Sequence, residues 1–336
     1  MPRSHNRTRF RPAPLAVLVL AAGCSSMPFA ERTEAYELLT GAGGDSPWCA
    51  MGDDAWFLDQ GADLKGPHFA LSIQCRYQGT EIPESLQQNG SDALADLPAA
   101  AGGVELLVAQ VAASPIYEPE FGEGEVASWI QVGDERLDLE TLPADGEFVA
   151  VAAPEDEDAV LWVEDEGRAQ GLDLRSGERV DPVAGYYNGL AVEAARLEGF
   201  YYEDFEVSDG RDSWFLTCPA PWANATRNAW LEDRGWAGEG QVFLTVSFNW
   251  CHRYDTLVWV LDPETAVTVD GASPAYWNGE ETVSGSMDVD AVFTVPEDAD
   301  DIAITFTPFG HVESAEDGEA WAFMESPTPT EWIARF

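Results

Sequence analysis

Apolar and polar residues alternate along much of the chain with a period of two. Phe69, Leu71, Ile73, Cys75 and Tyr77 are interleaved with Ala70, Ser72, Gln74 and Arg76. The run Phe243–Trp250 behaves in the same way. That period places successive side chains on opposite faces of a strand. The pattern predicts strands at Phe69–Arg76, Val104–Ala112, Trp129–Val132, Glu147–Ala153, Val160–Glu164, Gln241–Trp250, Leu257–Leu261, Ala266–Val269, Ala291–Val295 and Ile302–Thr307. These runs are rich in β-branched and aromatic residues and short enough to be strands. Pro143-Ala144-Asp145-Gly146, Asp262-Pro263, Asp270-Gly271 and Asn278-Gly279 read as the turns between them. Helical candidates are few: Phe29–Leu39, Pro83–Gln88 and Gly189–Glu198. No strand–helix–strand alternation is visible. The expectation is an all-β fold of antiparallel sheets packed in pairs as sandwiches.

Three landmarks occur twice in the same order. Trp48-Cys49 parallels Trp214 to Cys218. Cys75-Arg76-Tyr77 parallels Cys251-His252-Arg253-Tyr254. Pro154-Glu155-Asp156 parallels Pro296-Glu297-Asp298. The first copy carries extra sequence from about Gly79 to Gly103. Matching order predicts a duplicated unit.

The first residues have a different character. Arg3, Arg7, Arg9 and Arg11 precede the apolar run Leu15–Ala22, and no acid appears before Glu31. This is the charge and length pattern of a secretory signal, too short to span a membrane. It ends at Leu20-Ala21-Ala22-Gly23-Cys24, which resembles the lipobox of bacterial lipoproteins, with Ala21 where that family usually has Leu. The resemblance implies cleavage before Cys24, lipid on its sulfur and an acylated amino terminus. An adjacent Arg-Arg pair is missing, which favours export of the unfolded chain. The expected organisation is a signal peptide at 1–23 and a lipidated tether at 24–35. A first sandwich would span 36–182, a linker 183–199 and a second sandwich 200–336. The mature part loosely resembles tandem immunoglobulin-like β-sandwich domains of secreted actinobacterial lipoproteins.

Charge narrows the function. The 336 residues hold 61 acids against 17 basic residues, a formal charge of −44. Loss of residues 1–23 removes four arginines and no acid, moving the charge to −48. Such a chain cannot bind nucleic acid by neutralising phosphates. Hydrophobic residues at 45%, with 13 Trp and 16 Phe, distinguish it from a disordered acidic chain. With Cys24 assigned to lipid, four cysteines remain: Cys49, Cys75, Cys218 and Cys251. An exported chain keeps these as disulfides, in one of three pairings. The repeat selects Cys49–Cys75 and Cys218–Cys251, each adding about 3–4 kcal/mol by loop closure.

Candidate chemistry is sparse. The histidines are His5, His68, His252 and His311, without an HxH or HExxH pattern, so the sequence offers no signal for a metal centre built on histidine. No GxSxG elbow and no phosphate-binding loop occurs. The acidic turns containing Glu155, Asp156 and Asp158, and Glu297, Asp298 and Asp300, are weak calcium candidates, because they lack the EF-hand order. Trp222, Trp230 and Trp236 fall between Cys218 and Cys251 in sequence without a strand pattern, and loop tryptophans can form a ligand platform. The reading is a lipid-anchored envelope protein facing the cell exterior. It needs no cofactor and acts as a binding module for an envelope glycan or protein, not as an enzyme. The alternatives are a glycan hydrolase using paired carboxylates and a purely structural envelope protein.

Overall fold

The computed structural model describes residues 31–42, 56–57, 62–89, 92–113, 124–187, 195–196, 204–218 and 223–336. The chain is all-β, with antiparallel pairing between strands throughout the described sheets. Among the described residues no helix is long and apolar enough to cross a membrane.

The N-terminal half runs β1 (Leu38–Ala42), β2 (Trp56–Phe57), β3 (Asp63–Lys65), β4 (Ala70–Gly79), α1 (Glu84–Asn89), α2 (Asp92–Ala95), β5 (Val104–Ala113), β6 (Val126–Val132), β7 (Glu135–Asp138), β8 (Glu147–Pro154), β9 (Ala159–Asp165), β10 (Arg168–Asp173) and β11 (Arg179–Val180). One sheet has the order β1-β8-β5-β4-β2, with β3 also on β4. The other has the order β11-β10-β9-β6-β7. Leu71, Ile73, Leu107, Ala109, Val149 and Val151 of the first sheet share one core with Ile130, Val132, Leu161, Val163 and Leu172 of the second. The opposite face of the first sheet is covered too. Ile82, Leu86 and Leu94, from the insertion carrying α1 and α2, pack on Leu106, Val108, Phe148, Ala150 and Ala152. Burial on both faces explains why β8 reads as continuous Phe-Val-Ala-Val-Ala-Ala and not as an alternation. Alanines at 150 and 152 leave room for the short helices.

The C-terminal half runs β12 (Ala195–Arg196), β13 (Asp204–Ser208), β14 (Ser213–Thr217), β15 (Ala223–Asn228), β16 (Trp230–Leu231), β17 (Gly235–Trp236), β18 (Gln241–Trp250), β19 (Arg253–Tyr254), β20 (Leu257–Leu261), β21 (Val267–Val269), β22 (Tyr276–Glu281), β23 (Met287–Pro296), β24 (Asp301–Phe306), β25 (Gly310–Ser314), β26 (Ala320–Phe323) and β27 (Thr330–Arg335). A five-stranded sheet, β12-β15-β18-β23-β22, faces the three-stranded sheet β21-β24-β27 and the six-stranded sheet β14-β13-β26-β25-β20-β19. Aromatic rings fill the space between them. Trp250 meets Trp259 edge-on at 4.7 Å and Phe306 at 5.5 Å, and Phe205 meets Trp259 at 4.7 Å. Cys218 and Cys251 form a disulfide with Cα atoms 5.6 Å apart, tying the end of β14 to the end of β18.

One strand pattern recurs in both halves. In the first, β4-β5-β8 lie side by side, and β9 lies between β6 and β10. In the second, β15-β18-β23 lie side by side, and β24 lies between β21 and β27. The Pro-Glu-Asp turn joins equivalent strands in each, β8 to β9 and β23 to β24. The cysteine landmarks, however, are one strand out of step. Cys75 is on β4, whereas Cys251 follows β18, which takes the place of β5.

Other expectations need correction. Leu38 and Leu39 belong to strand β1 and not to a helix, because their backbone pairs with Ala150 and Val151 of β8. Asn278-Gly279 is not a turn but the middle of β22, with Gly279 opposite Val289. A Cβ on Gly279 would stand 2.7 Å from Met287 Sδ, so this glycine serves close packing. The Trp-rich stretch after Cys218 contains strands β15, β16 and β17. Of the helix expected at Gly189–Glu198, Ala195–Arg196 is strand β12 and the rest lies outside the described residues.

Candidate functional site

Cys24, Cys49 and Trp222 lie outside the described residues. Cys75 is buried and disulfide-bonded. Trp230 is only 4% exposed. Trp236 is half-buried, and its Nε1–H donates to the carbonyl of Glu166 at 3.0 Å. Both rings therefore meet the N-terminal half, and Trp230 is closed off from solvent. Glu155, Asp156, Asp158, Glu297, Asp298 and Asp300 occupy the two inter-strand turns. Among the described residues, the group of ligand atoms lying within 4.8 Å of one another is formed by other side chains, those of His68, Asp165 and Glu166.

That group sits where Trp230 and Trp236 meet the N-terminal half. His68 lies in the connection between β3 and β4, and Asp165 ends β9. The Asp165 side chain is fully buried. Its Oδ2 accepts the backbone N–H of His68 at 2.8 Å, and its Oδ1 is 2.8 Å from His68 Nδ1. Glu166 and Gly167 form the two-residue β9–β10 turn with φ of 50° and 75°. Positive φ at both positions is what a tight hairpin with matching twist requires, and glycine takes the second without strain. The turn aims Glu166 Oε1 to 4.0 Å from His68 Nδ1. Space around the pair is closed. A Cβ on Gly124 would stand 2.4 Å from His68 Cγ, and one on Gly66 would stand 2.9 Å from Asp165 Oδ2. The Trp230 ring approaches the imidazole edge-on at 5.2 Å, and Arg168 lies over Trp236 at 5.3 Å.

A buried polar network adjoins it. Gln170 Nε2–H donates to the carbonyl of Lys65 at 2.8 Å, and Gln170 Oε1 accepts from Val183 N–H at 2.9 Å and from the Tyr187 hydroxyl at 3.2 Å. The same hydroxyl accepts Lys65 N–H at 3.0 Å. Arg179 bonds Asp63 and lies 3.9 Å over the Tyr187 ring. Burial pushes the Tyr187 hydroxyl far above its ordinary pKa. These bonds tie β3, β10 and residues 183–187 together, so the network fixes the end of the N-terminal half.

The second notable surface is the outward face of the five-stranded sheet. The register puts Asn224, Ser247, Asp290 and Asn278 in one row across β15, β18, β23 and β22. Asn249, Asp288 and Glu280 form a parallel row. Ser247 Oγ donates to Asp290 Oδ1 at 2.6 Å, and Asn249 Nδ2 donates to Asp288 Oδ1 at 2.6 Å. Between these residues Val246, Phe248 and Trp250 point into the core. The result is a fixed array of hydroxyl, amide and carboxylate groups on a rigid sheet.

Sequence reasoning missed the first site and the use of the second. His68 and Asp165 are 97 residues apart with no motif between them. The outward row was visible only as the polar half of the β18 alternation. The sequence matches no protein-family model and no curated protein.

Proposed function

We propose that the chain is an exported, lipid-anchored cell-envelope protein that acts by binding and not by turnover. The signal-like N-terminus and the sequence ending at Cys24 support the anchor. We read the mature part as two tandem immunoglobulin-like β-sandwich units, 36–182 and 200–336 with 183–199 between them. Each holds its own disulfide, the first joining Cys49 to Cys75. The recurrent strand order supports a duplication.

The polar rows on the five-stranded sheet carry the binding assignment. Ser247 is paired with Asp290 and Asn249 with Asp288 across strands, so a ligand meets donors and acceptors already in place. Asp288, Asp290 and Glu280 make the face acidic, and the whole chain is strongly negative. Anionic polymers are repelled from such a face. The ligand class is an uncharged or amino-bearing glycan, whose hydroxyl groups both donate and accept. Titration of the protein with a neutral envelope polysaccharide and with a carboxylated counterpart tests this. The neutral polymer binds, and Asn249→Ala with Asp288→Ala weakens it by about tenfold, equivalent to about 1.4 kcal/mol. Unchanged binding in that variant, or preference for the carboxylated polymer, contradicts the assignment.

A further inference from the structure

We infer that His68, Asp165 and Glu166 bind one divalent transition cation of the zinc type at the junction of the two halves. The inference is independent of the glycan face. Three side chains of suitable chemistry bring ligand atoms within 4.8 Å of one another. Bonds of about 2.0–2.2 Å from zinc to nitrogen or oxygen place neighbouring donors about 3.0–3.5 Å apart. The observed separations bracket that range: His68 Nδ1 is 2.8 Å from Asp165 Oδ1 and 4.0 Å from Glu166 Oε1. The buried pair need open by only a few tenths of an ångström. Glu166 closes the remaining gap by turning a side chain that is 45% exposed.

The surroundings resemble a shell that orients ligands. Asp165 Oδ2 is held by the backbone of His68, leaving Oδ1 as the oxygen directed at the imidazole. The Glu166 backbone is fixed by Trp236 Nε1. Gly66 and Gly124 let the backbone close against the pair. Such supports are typical of metal ligands. Coordination through Nδ1 uses the neutral imidazole tautomer and changes no oxidation state. Two carboxylates and one imidazole balance a dication, and the nitrogen donor favours zinc over calcium or magnesium. The ion links the β3–β4 connection to the β9–β10 turn beneath Trp230 and Trp236. Its role is therefore to stiffen the surface of the N-terminal half on which Trp230 and Trp236 pack.

The test uses the mature protein, stripped with a chelator and titrated with zinc in excess calcium, which occupies ordinary surface carboxylates. One zinc per chain binds and raises the melting temperature. Cobalt in its place gives a visible absorption band. Glu166→Gln alters an exposed side chain, so the stripped variant melts like the stripped parent, while its zinc affinity falls by about tenfold or more. His68→Gln abolishes the cobalt band. Absence of stoichiometric zinc binding overturns the proposal, as does zinc binding that persists unchanged in both variants or is displaced by calcium.

Discussion

The carboxylate of Asp165 is wholly buried, and it grips His68 twice, at the backbone N–H and at Nδ1, both at 2.8 Å. This pairing joins the β3–β4 connection to the end of β9, next to the tryptophans contributed by the C-terminal half. Asp165→Ala removes the acceptor of the His68 backbone N–H and the contact with Nδ1 together. The expected cost is about 1–3 kcal/mol, read as a lower urea midpoint. A loss below about 1 kcal/mol would show that the pair is incidental.

Tyr187 makes stability depend on alkaline pH. Its folded-state pKa lies above the unfolded value, because burial disfavours the phenolate. The folded chain therefore keeps a proton that the unfolded chain loses. This contribution is fully present below about pH 10 and is lost as pH rises beyond it, at about 1.4 kcal/mol per pH unit. Denaturation of the parent and of Tyr187→Phe between neutral and strongly alkaline pH isolates the effect. The variant starts less stable, by about 1 kcal/mol for its lost hydrogen bonds, and declines less steeply.

Two glycines separate backbone crowding from side-chain crowding. A Cβ at position 310 would stand 1.9 Å from the carbonyl oxygen of Val260, which cannot move without breaking into β20. Gly310→Ala is expected to cost about 1–3 kcal/mol. A Cβ at position 279 meets only the flexible Met287 side chain. Gly279→Ala is expected to cost less than about 1 kcal/mol. Thermal melts of the two variants in parallel check the order.

The Cys218–Cys251 bridge closes a separation of 33 residues. Replacing both cysteines by serine is expected to remove about 3–4 kcal/mol, mainly by releasing the unfolded chain. Equal urea midpoints with and without the bridge would contradict this.

Much of the fold is legible in the sequence because half-buried strands carry period-two alternation. The bounds Gln241–Trp250 and Leu257–Leu261 coincide with β18 and β20. The double burial of β8 is legible as a continuous apolar run. Strands such as β10, β15 and β22 are less legible, since Arg168–Asp173 and Ala223–Asn228 are mostly polar or small and Tyr276–Glu281 carries the turn-like pair Asn278-Gly279 at its centre, so all three owe their extended form to neighbouring strands. The equivalence of β18 with β5 was hidden because cysteine and Arg-Tyr are local marks, while strand order is a long-range property. The His68–Asp165 pair is hidden for the same reason. Its partners meet only after the β3–β4 connection and the β9–β10 hairpin have been placed by their separate strands.

Intact mass of the protein extracted from membranes, with and without reduction, tests the central claim most directly. The account predicts a chain that begins at Cys24, is heavier by its acyl groups, and gains four hydrogens when its two disulfides are reduced. A soluble, unacylated product, or one with free thiols at Cys49 and Cys75, would contradict the anchored, doubly bridged protein described above.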